Sequence, residues 1–493
     1  MTTETTETLA DLVAAEDVLL FVNAAITATG QREFRSDADE QRLSLDFLHA
    51  YVRVNYRRVY AATLALDIND HNAAHMVHGL LAHAGDATAA QRRTEGRLIA
   101  ARLARMAPQR VYRLFRALRA AGVNNRRTRA IVRDWLAARP DLGHDAVKYR
   151  AGLKAAARHT HLRLDTTDPG AGGELGAFLF RPGTLPRYRH PLLDAWRRAH
   201  YEQGAVGDLP FTVAEGFAAR RGMEREAFLE RMAPRMTRLE RLRTREERAE
   251  GRPGPPPDVD LAVMPLTRLA LYVLALDREE RGRRRAELTG ALRTAARRAA
   301  GPHAGSWGRV AAVLDDSYSS SGSGVKRRRP LAVALACHHL LEALAAPGAY
   351  TGLWTSGARD PLLVVPWGPT PLGLRILDAL ERGPDRLVVV SDGWDNAPPG
   401  LAGEVLRVWR TRIDPERRTS AVHVNPVYDA EGFDVRRLSP AVPTAGIRDA
   451  EDLPALVELA QFSEGRTGPA ELYAYLDRQV ARFTGAGPRG AER

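Results

Sequence analysis

The sequence predicts a multidomain chain: an all-α region over residues 1–304, then an α/β domain with a mostly parallel sheet over 305–490. Three observations carry that prediction. Up to about residue 300 the chain reads as helix after helix, with almost no strand-like alternation. Beyond about 305, apolar runs of strand length alternate with helical segments, the order expected of a parallel sheet with helices on both faces. The length of 493 residues, 44% of them hydrophobic, is enough for two to four buried cores.

In the first region, residues 41–66 place Leu43, Leu45, Leu48, Val52, Val59 and Leu64 at helical spacing. An arginine-rich amphipathic pair follows over 90–121, broken at Ala107-Pro108. The segment Arg126–Arg139 starts after Asn124-Asn125 and keeps Ile131, Trp135 and Leu136 on one side. Further helices are expected at 187–203, 212–232 and 261–300, with loops at Asp168–Gly173 and Gly251–Pro257. Many short helices without strands fit an α-solenoid of the HEAT kind, although no clean repeat period is present. Residues 1–35 carry no pattern that places them.

In the second region, Arg309–Leu314 reads as a buried strand and Lys326–Ala346 as a helix. One or two strands are expected within Gly352–Val365, a helix over Pro371–Glu381 and a strand over Leu387–Val390. A helix over Gly400–Arg410, a strand over Ala421–Val427, and helices over Asp452–Phe462 and Ala470–Phe483 complete the series. In such sheets ligands bind at the carboxyl ends of the strands.

Composition narrows the function classes. The single cysteine, Cys337, excludes a disulfide framework and a multi-cysteine zinc module. The acidic N-terminus MTTETTETLADLVAAED has no basic leader region, and no apolar run reaches the ~18 residues of a membrane span, so the expected compartment is the cytoplasm, with no membrane partner. The net charge of +12 is concentrated: residues 101–200 hold 21 basic and 7 acidic side chains, whereas 301–493 hold 22 and 23. A local basic excess suits a polyanion such as nucleic acid, or else a solvated surface.

The chemistry-bearing pattern lies in the neutral half. Asp315-Asp316-Ser317-Tyr318-Ser319 follows the first strand as D-x-S-x-S, and Ser391-Asp392-Gly393 follows a later one. Gly368-Pro369-Thr370-Pro371 stands between them. Carboxylates and hydroxyls at one sheet edge are hard oxygen ligands suited to a divalent cation. Alone, D-x-S-x-S also suits a helix-capping turn; the joint order is more specific. Residues 305–490 resemble the von Willebrand factor A domain with its metal-ion-dependent adhesion site. That resemblance implies that Asp315, Ser317, Ser319, Thr370 and Asp392 surround one divalent cation, Mg²⁺ first, with Mn²⁺ or Ca²⁺ as alternatives. It also implies that the cation captures a partner's oxygen anion without catalysis. Asp315 is preferred to Asp316 because only Asp315 has serine at +2 and +4; Asp316 and Asp395 are outer candidates. Ser320–Gly324 and the run Lys326–Arg329 make a basic edge that would favour a phosphate-bearing partner, or simply start a helix.

Within the basic stretch, Arg126-Arg127-x-Arg129-x-Ile131-x-x-Asp134-Trp135 is followed by Asp145-Ala-Val-Lys148-Tyr149-Arg150 and His159-Thr-His161-Leu162. Over these roughly 40 residues the chain resembles the Ro autoantigen family, whose TROVE domain is a ring of HEAT-like repeats followed by a von Willebrand A-like domain. The resemblance implies binding of small structured noncoding RNA (Y RNA-like) on a basic outer surface, and of 3′ ends of misfolded RNA in the ring. The expected role is a scaffold in RNA quality control or processing, with an exoribonuclease or another RNA-processing protein as a possible partner. The candidate RNA contacts are Arg126, Arg127, Arg129, Lys148, Arg150, Lys154, Arg158, His159 and His161, since arginine pairs phosphates bidentately and stacks on bases. Trp135, Ile131 and Tyr149 read as helix core.

Two other classes stay in view. One is a protein-interaction adaptor that uses the cation to capture a partner carboxylate, for example with an AAA+ ATPase. The other, a metal-dependent nuclease, needs more carboxylates than Asp316 and Asp395 supply, so no enzymatic activity is expected. His71, His75 and His78 share one helical face, with His83 beyond, a spacing that can hold zinc but lacks an H-E-x-x-H pattern.

Overall fold

The computed structural model describes residues 9–164, 173–237, 240–241, 244, 261–454 and 469–485. The loop expected at Gly251–Pro257, most of that at Asp168–Gly173, and most of the helix expected at Asp452–Phe462 lie outside them.

The chain begins with α1 (Leu9–Thr27), α2 (Ala38–Asn55), α3 (Arg57–Ala62) and α4 (Asp70–Ala82). Helix α2 starts at a capping box, in which Asp37 accepts from the Asp39 and Glu40 amides at 2.8 Å and Glu40 reaches back to the Asp37 amide. The single helix expected over 41–66 is two. Tyr51 and Tyr56 both donate to Asp17 of α1, and the chain turns at Tyr56.

Then come α5 (Ala89–Arg105), α6 (Pro108–Ala120), α7 (Arg126–Ala137), α8 (Leu142–Lys148), α9 (Arg150–Thr160), α10 (Leu175–Phe180), α11 (Pro191–Arg198), α12 (Phe211–Arg220) and α13 (Arg225–Met232). Pro108 opens α6, where its missing N–H costs nothing, and Asn125 caps α7 through the Thr128 amide at 2.9 Å. Tyr112 of α6 sits at the centre of these helices. Its ring meets Trp135 edge-on at 5.2 Å and Tyr149 at 5.6 Å, and its hydroxyl donates to Asp145 at 2.9 Å. Arg139 clamps the same fully buried carboxylate with both ends of its fork, at 2.7 and 3.1 Å. The Trp135 indole donates to the Leu103 carbonyl at 3.1 Å, so Trp135 and Tyr149 are packing residues, as expected. Gly152 is required here, because a Cβ would lie 2.6 Å from the Tyr112 Cβ. Gly152→Ala is expected to cost about 1–3 kcal/mol by overpacking, read from the urea midpoint.

The third group is α14 (Leu266–Ala275), α15 (Arg278–Arg283) and α16 (Arg285–Ala300), followed by the sheet region. Its elements are β1 (Val310–Leu314), α17 (Arg329–Leu344), β2 (Tyr350–Trp354), α18 (Leu372–Leu380), β3 (Arg386–Val390), α19 (Leu401–Val408), β4 (Ser420–Asn425), the short antiparallel pair β5 (Tyr428–Asp429) and β6 (Asp434–Val435), β7 (Thr444–Gly446), and α20 (Pro469–Gly485). Strands β2-β1-β3-β4-β7 form one parallel sheet in that order. Ala311, Val313, Leu387 and Val389 face a core completed by Leu372, Ile376, Ala402 and Leu406. Helix α17 packs against β1, and its side chains from Pro330 to Cys337 are all buried. The near-continuous apolar strands read from the sequence are therefore strands buried on both faces.

The compact units are cut differently from the change of grammar at 305. One comprises the described residues of Met1–Asn72 and Asp260–Gln479; the other those of Ala73–Val259 and Val480–Arg493. Three contacts within the first unit account for this. The Gly446 amide of β7 donates to Asn23 of α1 at 3.0 Å. Arg281 of α15 is buried, bonding the Leu362 and Val364 carbonyls at 3.1 and 3.0 Å. Helices α14 and α16 both pack on α17. Among the described residues no helix is long and apolar enough to cross a membrane.

Candidate cation site and basic surface

In the sheet order, the chain runs from β1 to β2 on one side and returns to β3 on the other. That reversal leaves a crevice at the carboxyl ends of β1 and β3, where open α/β sheets bind ligands. Asp315 follows β1 directly, its amide bonded to the Val390 carbonyl at the end of β3 at 2.9 Å, and Ser391-Asp392 follows β3. The predicted cation ligands thus meet because adjacent parallel strands end together.

Asp315 Oδ1 accepts from the Ser317 amide at 2.8 Å, closing a tight turn that brings the Ser317 and Ser319 hydroxyls to 3.3 Å. The Ser319 side chain favours the charged form of Asp392, whose Oδ1 accepts from the Trp394 amide at 3.0 Å. Thr370 is buried on a loop stitched to the same turn by two backbone bonds, Trp367 N–H to the Asp316 carbonyl at 2.8 Å and Tyr318 N–H to the Gly368 carbonyl at 3.1 Å. Asn396 holds that loop from the β3 side, accepting from the Thr370 amide at 2.7 Å. Asp315, Ser317, Ser319 and Asp392 are in one contiguous network, and Thr370 stands beside it.

The electrostatics of this network fit a cation. Asp315 and Asp392 are buried, and neither forms an ion pair with a described residue. Burial, and then the neighbouring Asp392 charge, push the Asp315 carboxyl up to about 7. Burial also raises Asp392, against the pull of the Ser319 and Trp394 bonds and of Arg35 and Arg436. Both carboxylates line a small cavity with room for about one water or one ion. Ser317, Ser319 and Thr370 are not part of its lining, which includes Ser320, Ser391 and Pro426 instead. Two carboxylates with hydroxyls are a hard donor set that fits Mg²⁺ or Mn²⁺.

The outer candidates are engaged elsewhere. Asp316 accepts from Thr355 Oγ1 and the Ser356 amide, each at 2.8 Å, and so anchors the end of β2. Asp395 accepts from the Ala402 amide at 2.6 Å, at the start of α19. The expected basic edge is also largely consumed. Lys326 forms a buried ion pair with Glu33, Arg328 bonds the Leu274 carbonyl, and Arg329 pairs with Asp449 at 3.0 Å. Among the described residues no three His, Cys, Asp or Glu side chains group as a metal cluster, so His71, His75, His78 and His83 do not assemble one. Burial, then the His83 charge, pushes His78 below its usual range.

The nine candidate RNA residues divide into two sets. Arg127 pairs with buried Glu95 at 3.1 Å and caps the Arg92 carbonyl. Arg150 bonds the Phe178 carbonyl at 2.6 Å between the Phe178 and Trp196 rings. His159 is buried, and burial, with the charges of Arg119, Arg129 and His161 added, pushes its imidazole below the usual range. Arg127 and Arg150 tie neighbouring helices together, and His159 is packed between them. Arg126, Arg158 and His161 are exposed, and Arg129, Lys148 and Lys154 half-buried; Lys154 and Arg158 lie over the Phe180 ring. Sequence spacing missed the exposed row Arg110, Arg113, Arg116 and Arg119 on α6, every third residue, none ion-paired with a described residue. Helices α6 and α7 both pack on α9, and Arg119, Arg129 and Arg133 converge near its carboxyl end, where Arg133 bonds the Thr160 carbonyl.

The chain matches no protein-family model and no curated protein sequence.

Proposed function

We propose that this protein is an RNA-binding scaffold of the Ro type. Its helical region, read as HEAT-like repeats, takes small structured noncoding RNA and the 3′ ends of misfolded RNA. Its sheet-bearing unit, read as von Willebrand A-like, presents a divalent cation. The observation that supports RNA binding is the gathering of Arg119, Arg129, Arg133 and His161 at the ends of α6, α7 and α9 with no acidic partner among the described residues. Arginines left without an acidic partner at an exposed helical surface are free to pair phosphates and release counterions. The test is RNA binding by fluorescence anisotropy across a salt series. The double variant Arg119→Glu/Arg129→Glu is expected to weaken binding to a structured RNA about tenfold or more and to flatten the salt dependence. Unchanged affinity and slope would sink this reading.

A second reading is favoured by one observation, the buried Asp315–Asp392 pair with no cationic side chain bonded to it. A divalent cation held there by Asp315, Asp392 and the hydroxyls of Ser317, Ser319 and Thr370 would supply an electrophilic point that accepts an oxygen anion from a partner. In an adaptor that anion is a protein carboxylate. The chain's own residues would bind and orient that cation.

A further inference from the structure

We propose that the mouth of the Asp315–Asp392 site is built for a nucleotide phosphate, with the cation and the guanidinium groups of Arg35 and Arg436 taking the phosphate oxygens and the exposed rings of Tyr318 and Trp367 taking the base. The inference rests on the cation reading of that site and names the ligand class it serves.

Arg35 and Arg436, 401 positions apart in the chain, both stack on Trp394, with guanidinium carbons 4.1 and 3.6 Å from the ring centroid. Trp394 lies two residues after Asp392 and bonds it through its amide. Two like charges gathered on one ring repel each other, and the ring quadrupole offsets part of that cost. Neither guanidinium has an ion pair or a hydrogen-bond acceptor among the described residues, so their donor forks are left for an incoming anion.

Both arginines are held in place. The Arg32–Ser36 loop turns through Glu33 N–H to the Ser36 carbonyl at 3.0 Å, and Ser323 Oγ donates to the Arg32 carbonyl at 2.6 Å. The buried Glu33–Lys326 ion pair fastens this loop to the segment after the D-x-S-x-S turn, and Phe34 meets Tyr318 edge-on at 6.0 Å. On the other side, Asn425 Nδ2 donates to the Arg436 carbonyl at 3.0 Å, and Gly393 (φ +80°) admits that carbonyl, which would lie 2.6 Å from a Cβ.

A divalent cation and two arginines against Asp315, Asp392 and the adjacent Asp316 leave a net positive charge that calls for an anion. Geometry favours phosphate over carboxylate: two guanidinium forks and a cation offer more donor points than two carboxylate oxygens can fill, whereas a phosphate monoester has three terminal oxygens and carries about −1.5 to −2 at pH 7. The rings select a nucleotide over bare phosphate: Tyr318 is 66% and Trp367 71% exposed, on loops tied to the turn that carries Ser317 and Ser319. Exposed rings beside a phosphate site are stacking platforms for bases.

The test uses the full chain with Mg²⁺ and calorimetric titration of adenosine 5′-monophosphate, ribose 5-phosphate, adenosine, acetate and a short 5′-phosphorylated oligoadenylate. The monophosphate or the oligomer is expected to bind about tenfold or more tightly than ribose 5-phosphate. Arg35→Gln and Arg436→Gln are each expected to weaken it about tenfold, and Trp367→Ala to bring it to the level of ribose 5-phosphate. Preference for the monophosphate assigns the site to free nucleotide and preference for the oligomer to a strand end. Acetate bound as tightly as the monophosphate, or monophosphate binding indifferent to both arginine substitutions, overturns the inference. Mn²⁺ binding, followed by electron paramagnetic resonance, separates the two levels: no Mn²⁺ bound removes the cation reading with it, whereas Mn²⁺ bound without nucleotide preference removes the inference alone.

Discussion

Asp315→Asn is expected to abolish divalent-cation binding and also to stabilise the metal-free protein above neutral pH. The cause is the buried carboxylate pair. The folded Asp315 carboxyl is pushed up to about 7 from an ordinary value of 3.8, by burial first and by Asp392 second. Between those values the folded chain keeps a proton that the unfolded chain has released. The contribution of this group to stability therefore falls as pH rises from about 4 to about 7, and the loss is complete above that range. Fully developed, it is on the order of a few kcal/mol. Asp434 and Asp452, raised to about 6 and about 8 by burial, tilt stability the same way, and the histidines His159, His338 and His423, pushed below their usual range by burial, tilt it the opposite way, so only the difference between wild type and the asparagine variant reports the Asp315–Asp392 pair. Scanning calorimetry in chelator should show the asparagine variant gaining several degrees on wild type as pH rises from about 5.5 to about 8. Mg²⁺ should raise only the wild-type transition. Cation-dependent protein capture, if the adaptor reading holds, should vanish in the same variant. Equal Mn²⁺ affinity in the two proteins would refute the assignment of Asp315 as a ligand.

The second large effect is expected at Asp145. Its carboxylate is fully buried, yet the bonds from His144, Arg139 and Tyr112 outweigh burial and hold it below the usual range. Asp145→Ala strands the Arg139 guanidinium, half-buried over Trp135, and leaves the Tyr112 hydroxyl without its acceptor. Removing one partner of such a pair costs about 3–5 kcal/mol, because the desolvated charge stays behind. Denaturant unfolding should show that loss in the transition of the helical unit, while Tyr112→Phe, which removes one neutral donor, should cost about 1 kcal/mol. A loss below about 1 kcal/mol for Asp145→Ala would mean that this carboxylate does not organise the helices around α6.

Much of the α/β region was legible because its strands are short, continuous apolar runs. Strands β1, β3 and β4 start or end within two residues of the expected limits, and helices α17–α19 within three. Strand β7 was missed because it has three residues and a proline at Pro443, immediately before it. Helix α1 was missed for the opposite reason: Val18, Phe21, Val22, Ala24, Ala25 and Ile26 are all buried, so no polar stripe marks its period.

The meeting of Asp315, Ser317, Ser319 and Asp392 was legible because spacing within one turn, and strand ends in register, are local properties. Arg35 and Arg436 were not, since nothing near either residue signals that they meet on Trp394. The same limit applies to Arg127: the sequence shows an exposed-looking arginine, and only the fold brings Glu95, 32 residues earlier, beside it. The α6 row Arg110–Arg119 had a local signal in its spacing of three, obscured by the general abundance of arginine.

The interleaved makeup of the sheet-bearing unit has a consequence for how the polypeptide emerges from the ribosome. Residues 1–72 are synthesised first, but Gly446, which Asn23 receives, is among the last of the sheet to appear. At about 5–20 residues per second, α1 waits tens of seconds for its docking partner, while the helices of residues 73–259 can close around Tyr112 in the interval. Nascent chains stalled before residue 446 should therefore carry a protease-resistant middle and protease-sensitive flanks. A recombinant fragment beginning at 305 would lack α1, α14 and α16, and would present the apolar side of α17 and the β7 edge to water.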